Sequence, residues 1–422
     1  MNDMAPQSHS SLEARYAHVR GQTVALCKDL SDADMTVQSM PDASPAKWHL
    51  AHTTWFFETL ILAPNNPGYK PFNQDFNFLF NSYYESVGER HARPRRGMLT
   101  RPSREDVLDY RAYVDAAMAE FLSNGISGDL NDLVVLGLNH EEQHQELLLT
   151  DILHMFAQNP ISPSFKAHPV AAVQSDATPM SFVDFEGGIH CIGHDGNSFA
   201  YDCEGPRHEV LLRPYRLADR LVTNGEWLEF MNDGGYRDPL LWLSDGWAQV
   251  VANEWNAPLY WRKKEGEWRA MSLHGEVEID LNAPVTHVSF YEAEAFARWA
   301  GKRLASEAEW EVAARHQVMD GNFMHGDAVM RPQAAGPQNG QLRQMFGDCW
   351  EWTGSAFLPF PGFKPVEGAV GEYNGKFMSG QSVLRGGSCA TPHGHIRATY
   401  RNFFYPQQRW QFTGVRLAED AA

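Results

Sequence analysis

Two histidines four residues apart, His140 and His144 in the run NHEEQHQELLLTDILH, have the type and spacing for metal chemistry. On an α-helix that spacing sets both imidazoles on one face, about one turn apart, so their nitrogens can reach one ion. A third ligand must come from another segment, and KWHLAHTTWFFETLIL offers His49 and His52 on an apolar stretch suited to a protein interior. A histidine buried there needs a polar partner. Three neutral imidazoles without a thiolate suit iron, zinc, copper or nickel, and leave coordination positions open for substrate and oxygen. The letters His140-Glu141-Glu142-Gln143-His144 also satisfy H-E-x-x-H, the zinc-hydrolase helix in which the glutamate is general base. That rival lacks the usual third-ligand pattern downstream.

Four segments must position these side chains. Ser11 to Leu30, Pro45 to Leu62, Arg104 to Leu122 and Leu130 to Phe156 carry apolar residues at three- and four-residue spacings, with Ser103 and Asp129 as N-caps. They predict an antiparallel helical bundle over residues 1–165. The stretch from Gly68 to Pro102 is aromatic and basic and too long for a bundle turn, which marks it as a functional loop. A Pro-, Ser- and Ala-rich run follows, giving a linker at 166–180.

Beyond it the texture changes. Short runs such as GGIHCIG, HEVLLRPYRLA and SVLRGGS are separated by Gly, Asn and Asp, which predicts a loop-rich domain of short strands over 181–422. Helices are expected within it at Thr223 to Asn232, with an approximate capping box from Thr223 to Trp227, at Tyr291 to Ala300 and at Glu307 to Arg315. The fold class is therefore α+β, helical first and strand-rich second.

The 422 residues suffice for two domains with separate cores. With 53 acidic against 35 basic residues and a formal charge of -18, the surface repels phosphate backbones and anionic lipid, so no nucleic-acid partner is expected. No apolar run approaches the ~20 residues of a bilayer span, and the N-terminus lacks a basic region followed by an apolar core, so no membrane and a cytoplasmic location are expected. The five cysteines, Cys27, Cys191, Cys203, Cys349 and Cys389, are scattered without a C-x-x-C, which gives neither a disulfide framework nor a cysteine zinc site.

Longer motifs carry a resemblance. WHLAHTTWFFE, NSYYESVGERH and NHEEQHQE, with PVTHVSFYEAEAFARWAGKRLASEAEWEVAAR, WEWTGSAF, VLRGGS and YRNFFYPQQRWQFTGVRLA further on, resemble the ergothioneine-biosynthesis sulfoxide synthases (EgtB-like) nearly end to end. The resemblance implies a DinB-like four-helix bundle joined to a C-type-lectin-like domain of the formylglycine-generating-enzyme type. It implies Fe(II) held by three histidines, O2 as oxidant, and coupling of a thiol to C2 of the imidazole of Nα-trimethylhistidine (hercynine). By position it makes His52, the histidine of an A-H pair, the first ligand, with His140 and His144 the others and His49 a neighbour. Gln143 falls where the family hydrogen-bonds the hercynine side, and Asn402 where it meets the hercynine carboxylate. The formylglycine-generating enzymes hold copper with a cysteine pair; here only Cys389 follows VLRGGS, which argues against that activity.

A quaternary ammonium has no N–H to donate and is best held by aromatic faces. Tyr400, Phe403, Phe404, Tyr405 and Trp410, around Asn402, offer them. The chain departs from the actinobacterial members of the family: no tyrosine stands close behind Pro361-Gly362-Phe363, and Phe404 and Gln408 replace the aspartate and arginine that hold γ-glutamylcysteine there. It resembles instead the branch with a Tyr-Tyr pair, in which free cysteine can donate sulfur. Tyr83 and Tyr84 are then the expected proton donors, with Tyr373 and Tyr405 behind them. Arg90, with Arg93, Arg95, Arg96 and Arg101, is a candidate for a donor carboxylate. Composition and spacing leave the donor open between cysteine, γ-glutamylcysteine and the selenosugar used by the related selenoneine synthases.

Overall fold

The structure, a computed structural model, describes residues 11–166, 178–326, 328–367, 371 and 374–421. The chain divides into two compact units, Met1–Asp151 and Ile152–Ala422. Most of the linker expected at 166–180, and Tyr373, lie outside the described residues.

The first unit is built on four long helices: α1 (Leu12–Leu26), α2 (Ala46–Phe56), α3 (Arg104–Ser123) and α4 (Asp129–Ala157), whose last residues belong to the second unit. α2 runs on as a π-helix, Phe57–Leu62, a wide turn of the kind often found beside functional sites. Ser103 caps α3 and closes a capping box with Asp106. Asp129 stands inside the first turn of α4 rather than at its cap, where its charge still favours the helix N-terminus.

One buried polar network reaches all four helices. Arg20 of α1 donates to Glu141 of α4 (2.9 Å), to Thr54 of α2 (3.0 Å) and to Asp115 of α3 (2.6 Å). Arg111 of α3 also donates to Glu141, and Thr23 of α1 adds a 2.6 Å bond to the same carboxylate. α4 approaches α2 closely because Gly137 has no side chain: a Cβ there would lie 2.8 Å from ring carbons of Phe56 and Phe57.

The long segment between α2 and α3 is not loose. A short helix, Phe76–Phe80, and a 3-10 turn, Arg93–Met98, interrupt it. Trp48 Nε1 donates to the Leu79 carbonyl (3.2 Å) and Trp55 Nε1 to Asn77 Oδ1 (2.9 Å), which docks the segment against α2.

The second unit is strand-rich. β1 (Phe182–Phe185), β4 (Tyr215–Ala218), β8 (Arg303–Leu304) and β13 (Leu417–Asp420) form one sheet in the order β1-β4-β13-β8. β9 (Trp350–Ala356), β10 (Ser382–Arg385), β11 (Asn402–Phe404) and β12 (Thr413–Gly414) form another, in the order β11-β10-β9-β12. β2 (Gly188–Ile192) and β3 (His208–Leu212) make a hairpin, while β5 (Trp261–Lys264), β6 (Glu267–Ser272) and β7 (Gly275–Glu278) make a meander. The helices are α5 (Asn224–Asn232), α6 (Ser244–Ala252), α7 (Phe290–Trp299) and α8 (Glu307–Ala314). α5, α7 and α8 each start on a capping box, Thr223 with Glu226, Ser289 with Glu292 and Ser306 with Glu309; the partner of Thr223 is thus Glu226, not the expected Trp227, because N3 is the position whose carboxylate reaches back to the cap. Buried Arg–Glu pairs brace this unit: Arg416 grips Glu351 (2.8 and 2.9 Å), and Arg401 grips Glu307 (2.9 and 3.0 Å) directly before β11.

Candidate metal centre

α2 and α4 bring His52, His140 and His144 together in the interior of the first unit. Their ligand nitrogens all lie within 4.8 Å of one another, and each ring is buried. Ring centroids are 4.6 Å apart for His140–His144, 4.8 Å for His52–His144 and 5.0 Å for His52–His140.

Hydrogen bonds fix which nitrogen faces inward on two of them. His52 Nδ1 lies 2.6 Å from the Phe80 carbonyl, which can only accept, so Nδ1 carries the proton and Nε2 keeps its lone pair. His144 Nδ1 lies 2.8 Å from His49 Nδ1, and His49 Nε2 lies 3.0 Å from Asp151 Oδ2. The carboxylate accepts from His49 Nε2; in the tautomer that leaves His49 Nδ1 as an acceptor, the proton on that contact belongs to His144, and His144 Nε2 is left as a donor atom. Asp151 Oδ2 is held in turn by the Ser44 backbone N–H (2.8 Å).

Aromatic rings wall the cluster. Trp48 stacks on His52 (4.5 Å, 14°), Trp55 lies parallel to it (5.7 Å, 14°), and Phe56 packs on His140 (5.0 Å). Burial pushes the His140 imidazole down to about 3 and holds His52 and His144 well below the usual histidine range. Three uncharged imidazoles whose ligand nitrogens lie within 4.8 Å of one another fit a divalent first-row metal with open coordination positions.

The glutamate of the H-E-x-x-H letters points elsewhere. One residue on from His140, it sits about 100° round the helix, where Arg20, Thr23 and Arg111 take its carboxylate. Burial would raise that carboxyl, but the guanidiniums of Arg111 and Arg20 outweigh it and hold Glu141 at about 2. It is a bundle-locking anion and is not aimed at a metal-bound water.

Tyr84 is buried against Trp55 (5.3 Å) and Phe56 (6.4 Å), one ring removed from His52 and from His140. Tyr83 is half-buried, and its hydroxyl accepts from Arg93 (2.7 Å). Arg90 is exposed, and donates to the Ser82 carbonyl and to Glu85 (3.0 Å). Gln143, half-buried, lies on the flank of α4 away from Glu141.

Asn402, Phe403 and Phe404 form β11 of the second unit. Strand alternation puts Asn402 and Phe404 on one face and Phe403 on the other, where it stacks on Phe357 (4.0 Å, 14°). Asn402 Oδ1 accepts from the Phe403 N–H (2.9 Å). Phe404 faces Trp410 (6.3 Å), Tyr400 packs on Trp350 (5.4 Å), and Tyr405 is exposed, so the expected aromatic set does not form a single cluster.

Sequence reasoning missed Asp151, the Phe80 carbonyl and Trp48 as supports of the histidines. Asp151 lies 102 positions from His49, and no local pattern links them.

Residues 15–158 match the DinB superfamily, and residues 169–421 match the sulfatase-modifying factor enzyme 1-like domain. The hercynine oxygenase of Mycobacterium tuberculosis is 32% identical over 439 residues, covering 98% of this chain and 99% of that protein. That of Mycolicibacterium thermoresistibile is 32% identical over 455 residues, covering 100% and 97%. The formylglycine-generating enzyme of Streptomyces coelicolor is 28% identical over 303 residues, covering 62% of this chain and 95% of that one. A buried three-histidine centre within a chain of this length and domain order makes the conclusion direct: the protein is an oxygenase that belongs to the hercynine oxygenase family.

Proposed function

We propose that this enzyme binds Fe(II) through His52, His140 and His144 and uses O2 to join a thiol to imidazole C2 of hercynine. The stoichiometry closes with one O2: the imidazole C2–H and the thiol S–H are lost, a C–S bond forms, one oxygen atom enters the sulfoxide and the other leaves as water. The observation that carries this reading is the buried trio of imidazoles, with nitrogens within 4.8 Å of one another and no carboxylate among them.

The iron, when bound, supplies the site at which oxygen is reduced. The chain's own groups do the rest. Burial keeps the three imidazoles unprotonated at working pH, and Phe80, His49 and Asp151 hold two of them in the required tautomer. Tyr83 or Tyr84 supplies the proton that oxygen reduction consumes. On the family resemblance, recognition of hercynine is assigned to Gln143 and Asn402; for the ammonium, Phe404 shares the Asn402 face of β11, whereas Phe403, on the other face, is stacked on Phe357. Arg90 is assigned to a donor carboxylate, for which it must exchange Glu85.

The test is anaerobic reconstitution with Fe(II), followed by hercynine with cysteine, γ-glutamylcysteine or a selenosugar under air, and products read by mass. A coupled sulfoxide is the expected result. Absence of coupling with every donor, from protein carrying one iron per chain, overturns the proposal.

A further inference from the structure

Arg96 is a buried guanidinium whose surroundings do not explain it as an ion pair. It is 3% exposed, and among the described residues it makes no salt bridge. Instead Nη1 donates to Ser44 Oγ (3.0 Å), Nη2 donates to Ser82 Oγ (3.1 Å), and the guanidinium carbon lies 3.4 Å from the centroid of the Trp48 ring. Among the described residues its Nε has no hydrogen-bond partner. Burial, with Arg93 nearby, pushes the guanidinium down to about 9, the sign of a cation held at a cost.

The three groups it touches belong to different parts of the centre. Ser44 precedes α2, and its backbone N–H holds Asp151, the carboxylate behind His49. Trp48 stacks on His52 (4.5 Å). Ser82 is the residue directly before Tyr83 and Tyr84. A planar fork with a rigid spacing between its donors suits such a junction, and a lysine, with a single point charge on a flexible stem, does not replace it.

We infer that Arg96 is a positioning residue: its fork ties the Tyr83–Tyr84 segment, through Ser82, to the start of the metal-holding helix α2, through Ser44 and Trp48. The inference rests on the proposed function for the role of the tyrosines, but the tether itself is independent of it. Arg96 holds the hydroxyl donors at a fixed distance from the histidines, and touches neither metal nor substrate.

The test uses the full-length enzyme as parent and as Arg96→Lys, loaded with Co(II) for binding and hydrogen exchange and with Fe(II) for turnover. Expected are one Co(II) per chain in both with affinities within about threefold, and exchange in residues 81–87 faster by about tenfold or more in the variant. With iron, kcat for coupled product falls by about tenfold or more while KM for hercynine stays within about threefold, the mark of a misplaced reacting group. Unchanged exchange in 81–87 overturns the tether; faster exchange with parental kcat overturns its role in positioning. Loss of Co(II) in the variant overturns both, since Arg96 would then serve the metal itself. Should the parent form no coupled product, the reaction reading fails alone, and exchange and Co(II) binding still decide the tether. If Arg96→Lys does not fold, Ser82→Ala removes one end of the tether and keeps the charge, with a rise in exchange of about threefold expected and none overturning the inference.

Discussion

His49 Nε2 stands 3.0 Å from Asp151 Oδ2 while His49 Nδ1 stands 2.8 Å from His144 Nδ1. With both ring nitrogens engaged, His49 has no lone pair left for a metal. The A-H histidine, His52, completes the trio instead, as the family resemblance implies.

Loss of metal is expected from His52→Ala, His140→Ala and His144→Ala, each of which leaves two imidazoles. Asp151→Asn and His49→Ala are expected to keep the metal but weaken it by about 10–100-fold, as for groups that orient a ligand. Co(II) titration monitored by its visible bands separates the two classes. Full retention in His52→Ala with complete loss in His49→Ala would reverse the assignment.

Glu141→Gln is expected to cost stability rather than chemistry. Removing the charge takes the buried carboxylate from Arg111 and from Arg20, which keeps only Asp115, at about 3–5 kcal/mol, while turnover per folded molecule stays within about tenfold of the parent, against the orders of magnitude lost when a general base is removed. Urea denaturation and product formation at low temperature read the two effects. Zinc-dependent peptide cleavage abolished by Glu141→Gln would instead identify a hydrolase.

Tyr83→Phe or Tyr84→Phe is expected to slow coupling by about 10²-fold or more, in the range of general acid catalysis. Oxygen uptake can persist, with the donor sulfur oxidised to a sulfinate without joining hercynine. Product ratios by mass, set against an oxygen electrode, show the split. Parental coupling rates in both single variants and the double variant would place the proton source elsewhere; Tyr405 is exposed and is the next to examine.

Asp348 of the second unit sets a pH dependence of stability. Burial raises its carboxyl to about 6 from 3.8, although Asn322, the Gln333 N–H and Gln344 donate to it. The folded state thus holds a proton that the unfolded chain gives up, and the stability associated with it is lost as pH rises from about 4 to about 6, then stays level. Asp348→Asn is expected to remove that slope, so the denaturation midpoint of the parent falls relative to the variant between pH 4 and pH 7. Parallel curves for the two proteins would refute it.

Much of this was legible in the residues because helices announce themselves locally. The spacing of His140 and His144, the apolar rows of the four long helices and the three helical stretches expected in the second unit are short-range signals, and all of them mark helices in the structure; the capping boxes at Thr223, Ser289 and Ser306 are local too, but are read only approximately at the first and not at the other two. The β5–β7 meander went unread, since its strands are short and partly exposed and carry little alternation, and so did the nine-residue helix α6. At the site, what could not be read were side chains that act at a distance along the chain. Arg96 looks like its four arginine neighbours in sequence, and only packing on Trp48 separates it from Arg90, which is exposed. Likewise, the letters of H-E-x-x-H cannot show that Glu141 belongs to Arg20 and Arg111, residues 121 and 30 positions away.

The network around Glu141 also bears on metal selection. Arg20, Thr23, Arg111 and Glu141 set the rotation of α4 with side chains alone, so His140 and His144 face α2 by the packing of the bundle and need no ion to turn them. Binding then demands little ordering, and a rigid three-imidazole site follows the ordinary divalent series, taking copper, nickel and zinc more tightly than Fe(II). A preparation made in air and rich medium is expected to arrive filled with zinc or nickel, inert toward oxygen until stripped.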